Sequence, residues 1–378
     1  MSAVMDASMP SPPLPKGEGS PIARAPERLR GRGDGWCLAV LAGLALALVG
    51  AFLLNLALGS VRIPLSDVAA VLTGGEASKA SWAYIVLEFR LPKALTAVLA
   101  GAALAVSGLQ MQTLFRNPLA DPYILGINAG ASLGVALVVL ATGAATGFLS
   151  NVGLLGDLSL IVAAIAGASL VTGLVIVAAR WLRHAMTLLI LGLMLGYATG
   201  AVVSILIYFS VPEQIQAYIS WTFGSFGGVT GRQLAILAPV IGGGLLLAWL
   251  LTKPLNALLL GEAYARSMGA NVRRVRFWLI AGTSVLAGAV TAFCGPIAFL
   301  GVAIPHLCRA LLRTSDHRVL VPATMLMGGL AALLADLVAG VPGSRSVLPL
   351  NAVTALLGAP VVVWIVLRRD GPRSDFAT

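Results

Sequence analysis

Three cysteines and three histidines are the side chains of this sequence best suited to metal binding or covalent catalysis. Cys37, Cys294 and Cys308 are scattered, without the spacing of a zinc site or a disulfide framework. The sequence also lacks a GxxxxGKS/T phosphate loop, an HExxH zinc motif and a GxSxG nucleophile elbow. We therefore expect no enzymatic activity, no metal site and no bound cofactor in this chain, which cannot bind ATP through a P-loop.

The predicted membrane spans contain two acidic residues, Asp157 near the start of 154–179 and Asp336. Carriers driven by ions place several ionisable groups at mid-depth in the membrane. The scarcity of such ionisable groups in this chain favours a conduit that transports neither protons nor sodium ions. Because Asp336 lies near the end of its predicted helix, we expect it to form a salt bridge or a helix cap rather than to contact a substrate.

Three polar segments interrupt the apolar sequence. Residues 116–128, RNPLADPYILGIN, contain two Asx-Pro turns that break the helix between two spans. Irregular backbone at a membrane face is tolerated when it is buried in protein or lines a water path, so this segment is either a gate or a plain tight loop. Residues 210–232 mix aromatic, glycine and polar residues and predict a short re-entrant or interfacial helix.

The third polar segment, residues 253–276, is the longest predicted cytoplasmic loop. Its apolar residues alternate with charges in a helical rhythm, and Gly261 and Gly269 punctuate it. The pattern predicts two short amphipathic helices. Their apolar side either lies on lipid headgroups or docks into a groove on a partner protein.

The composition places these segments in a membrane protein. Of the 378 residues, 58% are hydrophobic and 11% are charged, against about 25% charged in soluble domains. Mean hydropathy is +0.93. In a membrane protein, the excess of basic residues behind the net charge of +10 indicates how the chain is oriented in the bilayer, rather than nucleic-acid binding. Residues 1–35, rich in Pro, Gly, Ser and charge, predict a disordered tail, and residues 370–378 a second short tail.

Residues 36–369 predict an all-α polytopic membrane domain with about ten transmembrane helices. All spans are interpreted as helices because backbone polar groups in lipid must be paired internally. In the pair covering 277–312, Gly295-Pro296 predicts a turn, followed by a short half-span from about Val302 to Leu312. The predicted spans are 36–58, 94–115, 124–149, 154–179, 186–209, 231–251, 277–297, 298–312, 319–339 and 348–367.

Basic residues orient these spans. They concentrate in the N-terminal tail, in 253–276 and after the last span, and positive charge favours the cytoplasmic face. Ten crossings then place both termini in the cytoplasm of a bacterial cell, with a multi-pass domain in the inner membrane.

Four long motifs in this order resemble the FecCD-like family, the permease subunits of ABC importers for iron-siderophores, haem and vitamin B12. The resemblance runs from about residue 36 to 369. The motifs are FRLPKALTAVLAGAALAVSGLQMQTLFRNPLADPYILGINAGA, LGEAYARSMG, CGPIAFLGVAIPHLCRALLRTSDHRVLVP and LPLNAVTALLGAPVVVWIVLRR.

The resemblance implies partners and site residues. It implies a homodimer in membrane lipid, two ATP-binding subunits that use ATP and Mg, a substrate-binding protein on the outer face, and no nucleic acid. The ATPase-coupling loop then comprises Leu260, Gly261, Glu262, Ala265, Arg266, Met268 and Gly269. The resemblance implies that Arg90 and Lys93 dock the binding protein. Arg345 takes the place of a third basic residue that the family has and this chain lacks. The gates fall on Asn117 and Leu119 and on Ala185, Met186 and Thr187.

The sequence thus predicts the permease subunit of an ATP-driven importer of a bulky metal chelate, which is a ferric siderophore, haem or vitamin B12. The alternative is a secondary carrier that works without an ATPase.

Overall fold

The computed structural model describes residues 27–140, 157–181, 185–340 and 347–369. Almost all of them are helical. The α-helices, in chain order, are α1 (Glu27–Ala57), α2 (Leu65–Leu72), α3 (Ala80–Tyr84), α4 (Leu91–Leu114), α5 (Ile127–Val139), α6 (Asp157–Trp181), α7 (Ala185–Tyr208), α8 (Pro212–Thr222), α9 (Gly231–Leu250), α10 (Thr252–Leu259), α11 (Glu262–Ser267), α12 (Val272–Cys294), α13 (Leu300–Leu312), α14 (His317–Ala339) and α15 (Leu350–Arg369).

The polytopic all-α fold predicted from the sequence is confirmed. Within the described ranges, seven helices are long and apolar enough to cross a membrane, and three shorter apolar helices accompany them. Together they match the ten predicted segments. The half-span is also confirmed: α12 ends at Cys294, a non-helical break follows, and the short helix α13 begins at Leu300.

Several helix boundaries differ from the sequence-based expectation. Helix α1 begins at Glu27, inside the stretch expected to be a tail. The second span is longer than expected, because α3, a π-helical stretch (Ile85–Arg90) and α4 form one helix over Ala80–Leu114. Pro92 in the first turn of α4 has no N–H to donate, and a π turn before it accommodates the missing hydrogen bond. The short helix α2 was not predicted.

Helix α4 is the centre of the bundle and is buried along most of its length. It packs against α9, α12, α13 and α14. Glycines set the closest crossings: a Cβ at Gly101 would collide with the backbone of Gly328, and one at Gly108 with the backbone of Gly301. In lipid, helices associate by packing of this kind, because the hydrophobic effect does not draw them together.

Candidate functional site

The segment 253–276 lies at the end of the bundle where α4 terminates and α14 begins, which we call the coupling end. As predicted from the sequence, the segment forms two short helices, α10 and α11. Gly261 separates them with φ +113° and Gly269 follows α11 with φ +81°. These angles are strained for a residue with a Cβ, which explains why glycine occupies both positions.

Glu262 fastens α11 to the start of the spanning helix α12. Its Oε1 accepts a hydrogen bond from Arg276 Nη2 at 2.6 Å. Its Oε2 accepts one from Arg266 Nη2, one turn along α11, at 3.2 Å. The Arg276 side chain is almost fully buried and that of Arg266 is exposed. This ion pair therefore links α11 directly to the second turn of α12.

The segment 253–276, which we call the coupling segment, exposes three large apolar side chains, Leu260, Tyr264 and Met268, which we call the apolar ridge. Leu260, Tyr264 and Met268 are 64%, 46% and 66% exposed. Tyr264 and Met268, four residues apart, lie on one side of α11 and its C-terminal cap, whereas Leu260 ends α10 just before the break at Gly261. Ala265 is fully buried and anchors the opposite side. Tyr264 was not among the residues predicted for this site, although its spacing of four residues from Met268 could have identified it.

The gate segment, residues 116–128, turns back beside the half-span α13. Asn117 Oδ1 accepts a hydrogen bond from Leu119 N at 3.0 Å, so its side chain stabilises the turn. His306 Nε2 on α13 donates to Pro118 O at 2.7 Å. Gly126, with φ +77°, then ends a 3-10 turn (Pro122–Leu125) before α5 begins. The predicted third span therefore starts later than residue 124.

The second predicted gate element is the start of α7. Met186 and Thr187 are exposed there, and Ala185 is the first residue of the helix. Helix α7 approaches the gate segment farther along, where Gly192 lies against the carbonyl oxygen of Ile124. The contact is therefore made by the 3-10 turn rather than by Asn117 or Leu119.

At the end of the bundle opposite the coupling end, the two basic residues predicted to dock a binding protein make internal contacts. Arg90 is buried, and its guanidinium donates to Leu56 O at 2.7 Å and to Val61 O. Lys93 Nζ lies 2.9 Å from Asp336 Oδ1. These residues line a cavity of about 440 Å³. Arg345, the third predicted docking residue, lies outside the described residues, and docking at this end stays a prediction.

Asp336 is salt-bridged, as the sequence predicted. Besides Lys93, the Asn55 side-chain amide donates to Asp336 Oδ2 at 3.0 Å. Asn351, to which the sequence assigned no role, also has a clear contact: its Oδ1 accepts from Ala298 N at 3.1 Å. It therefore holds the break between α12 and α13 against the start of α15.

The Lys93→Ala variant is expected to lower the free energy of unfolding by about 2 kcal/mol, because it leaves the buried carboxylate of Asp336 without its cation. The expected loss is below that of a fully buried pair, since a third of the Lys93 side chain is exposed. The double variant Lys93→Ala/Asp336→Ala should recover most of the loss. Thermal denaturation in detergent measures both, and a double variant no more stable than Lys93→Ala would contradict the assignment.

Comparison with known proteins agrees with this architecture. The chain is 39% identical over 336 residues to BtuC, the vitamin B12 import system permease protein of Klebsiella pneumoniae, covering 88% of this chain and 94% of that protein. It is 40% identical over 287 residues to BtuC of Escherichia coli, covering 75% and 83%. A solved metal-chelate type ABC transporter in an inward-facing conformation superposes with a TM-score of 0.76 at 28% identity, covering 87% and 99%.

The model of the FecCD transport family matches residues 46–368, which is nearly the whole spanning part of the chain. The gate segment, the coupling segment and the half-span all fall inside this match. The chain is therefore a multi-pass membrane protein that belongs to the FecCD transport family.

Proposed function

We propose that this chain is the permease subunit of an ATP-driven importer and forms the pathway for a bulky metal chelate. The observation that carries the proposal is the exposed apolar ridge of Leu260, Tyr264 and Met268 on and beside α11, a helix that Glu262 ties to a spanning helix. A docking surface connected to a transmembrane helix is what an energy-supplying partner requires. A helix that only lay on lipid would not need the buried contact of Arg276 with Glu262.

Vitamin B12 is the substrate we propose. The two relatives described above are both named vitamin B12 import permeases. A ferric siderophore or haem is the alternative, since the superposed transporter is described as of the metal-chelate type. Conduits of this kind bind their cargo weakly enough to release it, so we expect a separate binding protein to provide most of the selection.

The assembly we propose has two copies of this chain, two ATP-binding subunits at the coupling end and a substrate-binding protein at the opposite end. The coupling end then faces the cytoplasm, with both termini, and the bundle lies in the bacterial inner membrane. Most of the apolar surface of helix α7 is exposed. This exposure supports a position in which α7 faces either lipid or the second copy of the chain. This chain holds neither ATP nor Mg, and hydrolysis takes place in the partner.

The proposed mechanism starts when ATP closes the partner subunits against the apolar ridge. The Glu262–Arg276 contact transmits the movement of α11 to α12. At the gate segment, His306 keeps Pro118 attached to α13, so a shift of the half-span moves the gate segment with it. The pathway opens to alternate sides by rigid-body movement of packed helices.

To test the proposed substrate, the chain is purified with the ATPase and the binding protein of its uptake system and reconstituted in lipid vesicles. We expect cyanocobalamin-loaded binding protein to stimulate ATP hydrolysis severalfold over the unloaded protein. Ferrichrome and haemin, each loaded in the same way, serve as matched controls. Stimulation by ferrichrome or haemin and not by cyanocobalamin would exclude vitamin B12 as the substrate. Uptake that needs no ATPase would favour the secondary carrier instead.

A further inference from the structure

The amide of Asn256 on α10 is fastened to the first residues of α14. Its Oδ1 accepts from His317 N at 2.9 Å and lies 2.8 Å from His317 Nδ1, while its Nδ2 donates to Asp316 Oδ1 at 2.6 Å. Burial raises the pKa of the Asp316 carboxyl, but hydrogen bonds from Arg318 N and Asn256, with nearby positive charge, outweigh this and hold the pKa below its ordinary value. A charged acceptor therefore fixes the orientation of the Asn256 amide.

His317 connects Asn256 to the central helix, α4. The orientation of Asn256 requires a proton on His317 Nδ1, because an amide oxygen can only accept. The other ring nitrogen, Nε2, is then an acceptor for Thr113 Oγ1, 2.9 Å away in the last turn of α4. The Thr113 hydroxyl has one proton, and Leu109 O in its own helix, also at 2.9 Å, is its second acceptor. His317 is fully buried and Thr113 nearly so. Hydrogen bonds shielded from water in this way are costly to break.

Thr113 lies three residues before the gate segment. Helix α4 ends at Leu114, and Arg116, with φ +49°, begins the turn. A movement of α10 that displaces His317 therefore reaches the residues that lead into Asn117. This connection does not pass through Glu262 or α12, so it is separate from the ion-pair link described above.

We propose that Asn256, His317 and Thr113 form a relay that transmits the movement of the coupling segment to the gate end of α4. The three act as positioning residues and contact neither ATP nor cargo. The relay rests on the proposed function, because it requires a partner that moves α10. Two discrete arrangements of packed helices, rather than elastic deformation, would carry the signal.

The test is the number of cyanocobalamin molecules imported per ATP hydrolysed by the complete complex in lipid vesicles. Thr113→Val removes the hydroxyl and keeps the shape, and we expect the ratio to fall roughly tenfold. Thr113→Ser keeps the hydroxyl and should restore the ratio. Thr324→Val is the matched control: Thr324 is equally buried, but its hydroxyl donates only within its own helix, to Leu320 O and Val321 O.

A second variant covers the case in which Thr113→Val does not assemble. Asn256→Ala interrupts the relay at its other end and should lower the same ratio by a similar factor. Combined with Thr113→Val, it should lower the ratio no further, because both interrupt one route. A ratio equal to that of Thr324→Val in either single variant, or a multiplied loss in the double, would overturn the relay. Failure of the unmodified complex to couple import to ATP would overturn the proposed function instead.

Discussion

Replacing Gly108 with valine is expected to abolish accumulation of the folded protein. A Cβ at this position would collide with the backbone carbonyl of Gly301 on the half-span α13, and a backbone atom cannot move aside as a side-chain tip can. We expect a loss of at least ~4 kcal/mol, the range of severe overpacking in a core. Fluorescence-detected gel filtration in detergent, with a thermal melt of any folded fraction, measures the effect.

Gly43 provides the matched control. It lies in α1, exposed, and a Cβ there would have no neighbour within 4 Å. Gly43→Val should therefore elute and melt as the unmodified protein does. If Gly108→Val behaved in the same way, the close crossing of α4 and α13 would not exist in the membrane.

The double variant Leu260→Glu/Met268→Glu is expected to lose ATP-driven import by more than about a hundredfold while remaining folded. Exposed positions tolerate substitution with little change in stability. In a partner groove, however, two unpaired charges would replace two apolar anchors, each worth about 2 kcal/mol of binding, and each 1.4 kcal/mol is about tenfold in affinity. Co-purification of the ATPase, followed by vesicle uptake, measures the loss.

Leu65→Glu is the control for that variant. Leu65 is 53% exposed at the first position of α2, and an acidic residue is favourable in a first helical turn. The ATPase should co-purify with this variant as with the unmodified chain. Normal co-purification of the Leu260→Glu/Met268→Glu variant would show that the apolar ridge is not where the partner binds.

Hydrophobic runs and helix breakers were sufficient to predict most of the fold. The apolar segments indicate spans because a chain in lipid has few alternatives to the helix. Gly295-Pro296 marks the break before the half-span. The helices of 253–276 follow from their amphipathic rhythm. Helix α2 was missed because its eight residues are too few to be recognised as a span, and the π-helical stretch before Pro92 depends on how the chain satisfies its backbone hydrogen bonds.

Contacts between distant segments could not be derived from the sequence. Arg90 and Lys93 stand out as basic residues, but their spacing does not reveal the carbonyls of Leu56 and Val61 or the carboxylate of Asp336 that they contact. Asn351 and Asn256 are isolated amides whose partners lie 53 and 60 or more residues away. Such pairings arise only when helices pack, so they require the tertiary structure.

In the function we propose, this chain is a conduit driven by another polypeptide. The most direct test of this proposal is accumulation of labelled cyanocobalamin in sealed vesicles that contain the chain, the binding protein and the ATPase of its system. We expect accumulation with ATP and none when the ATPase is omitted or its phosphate-binding lysine is replaced. Accumulation by the chain alone, driven by a proton or sodium gradient, would contradict it.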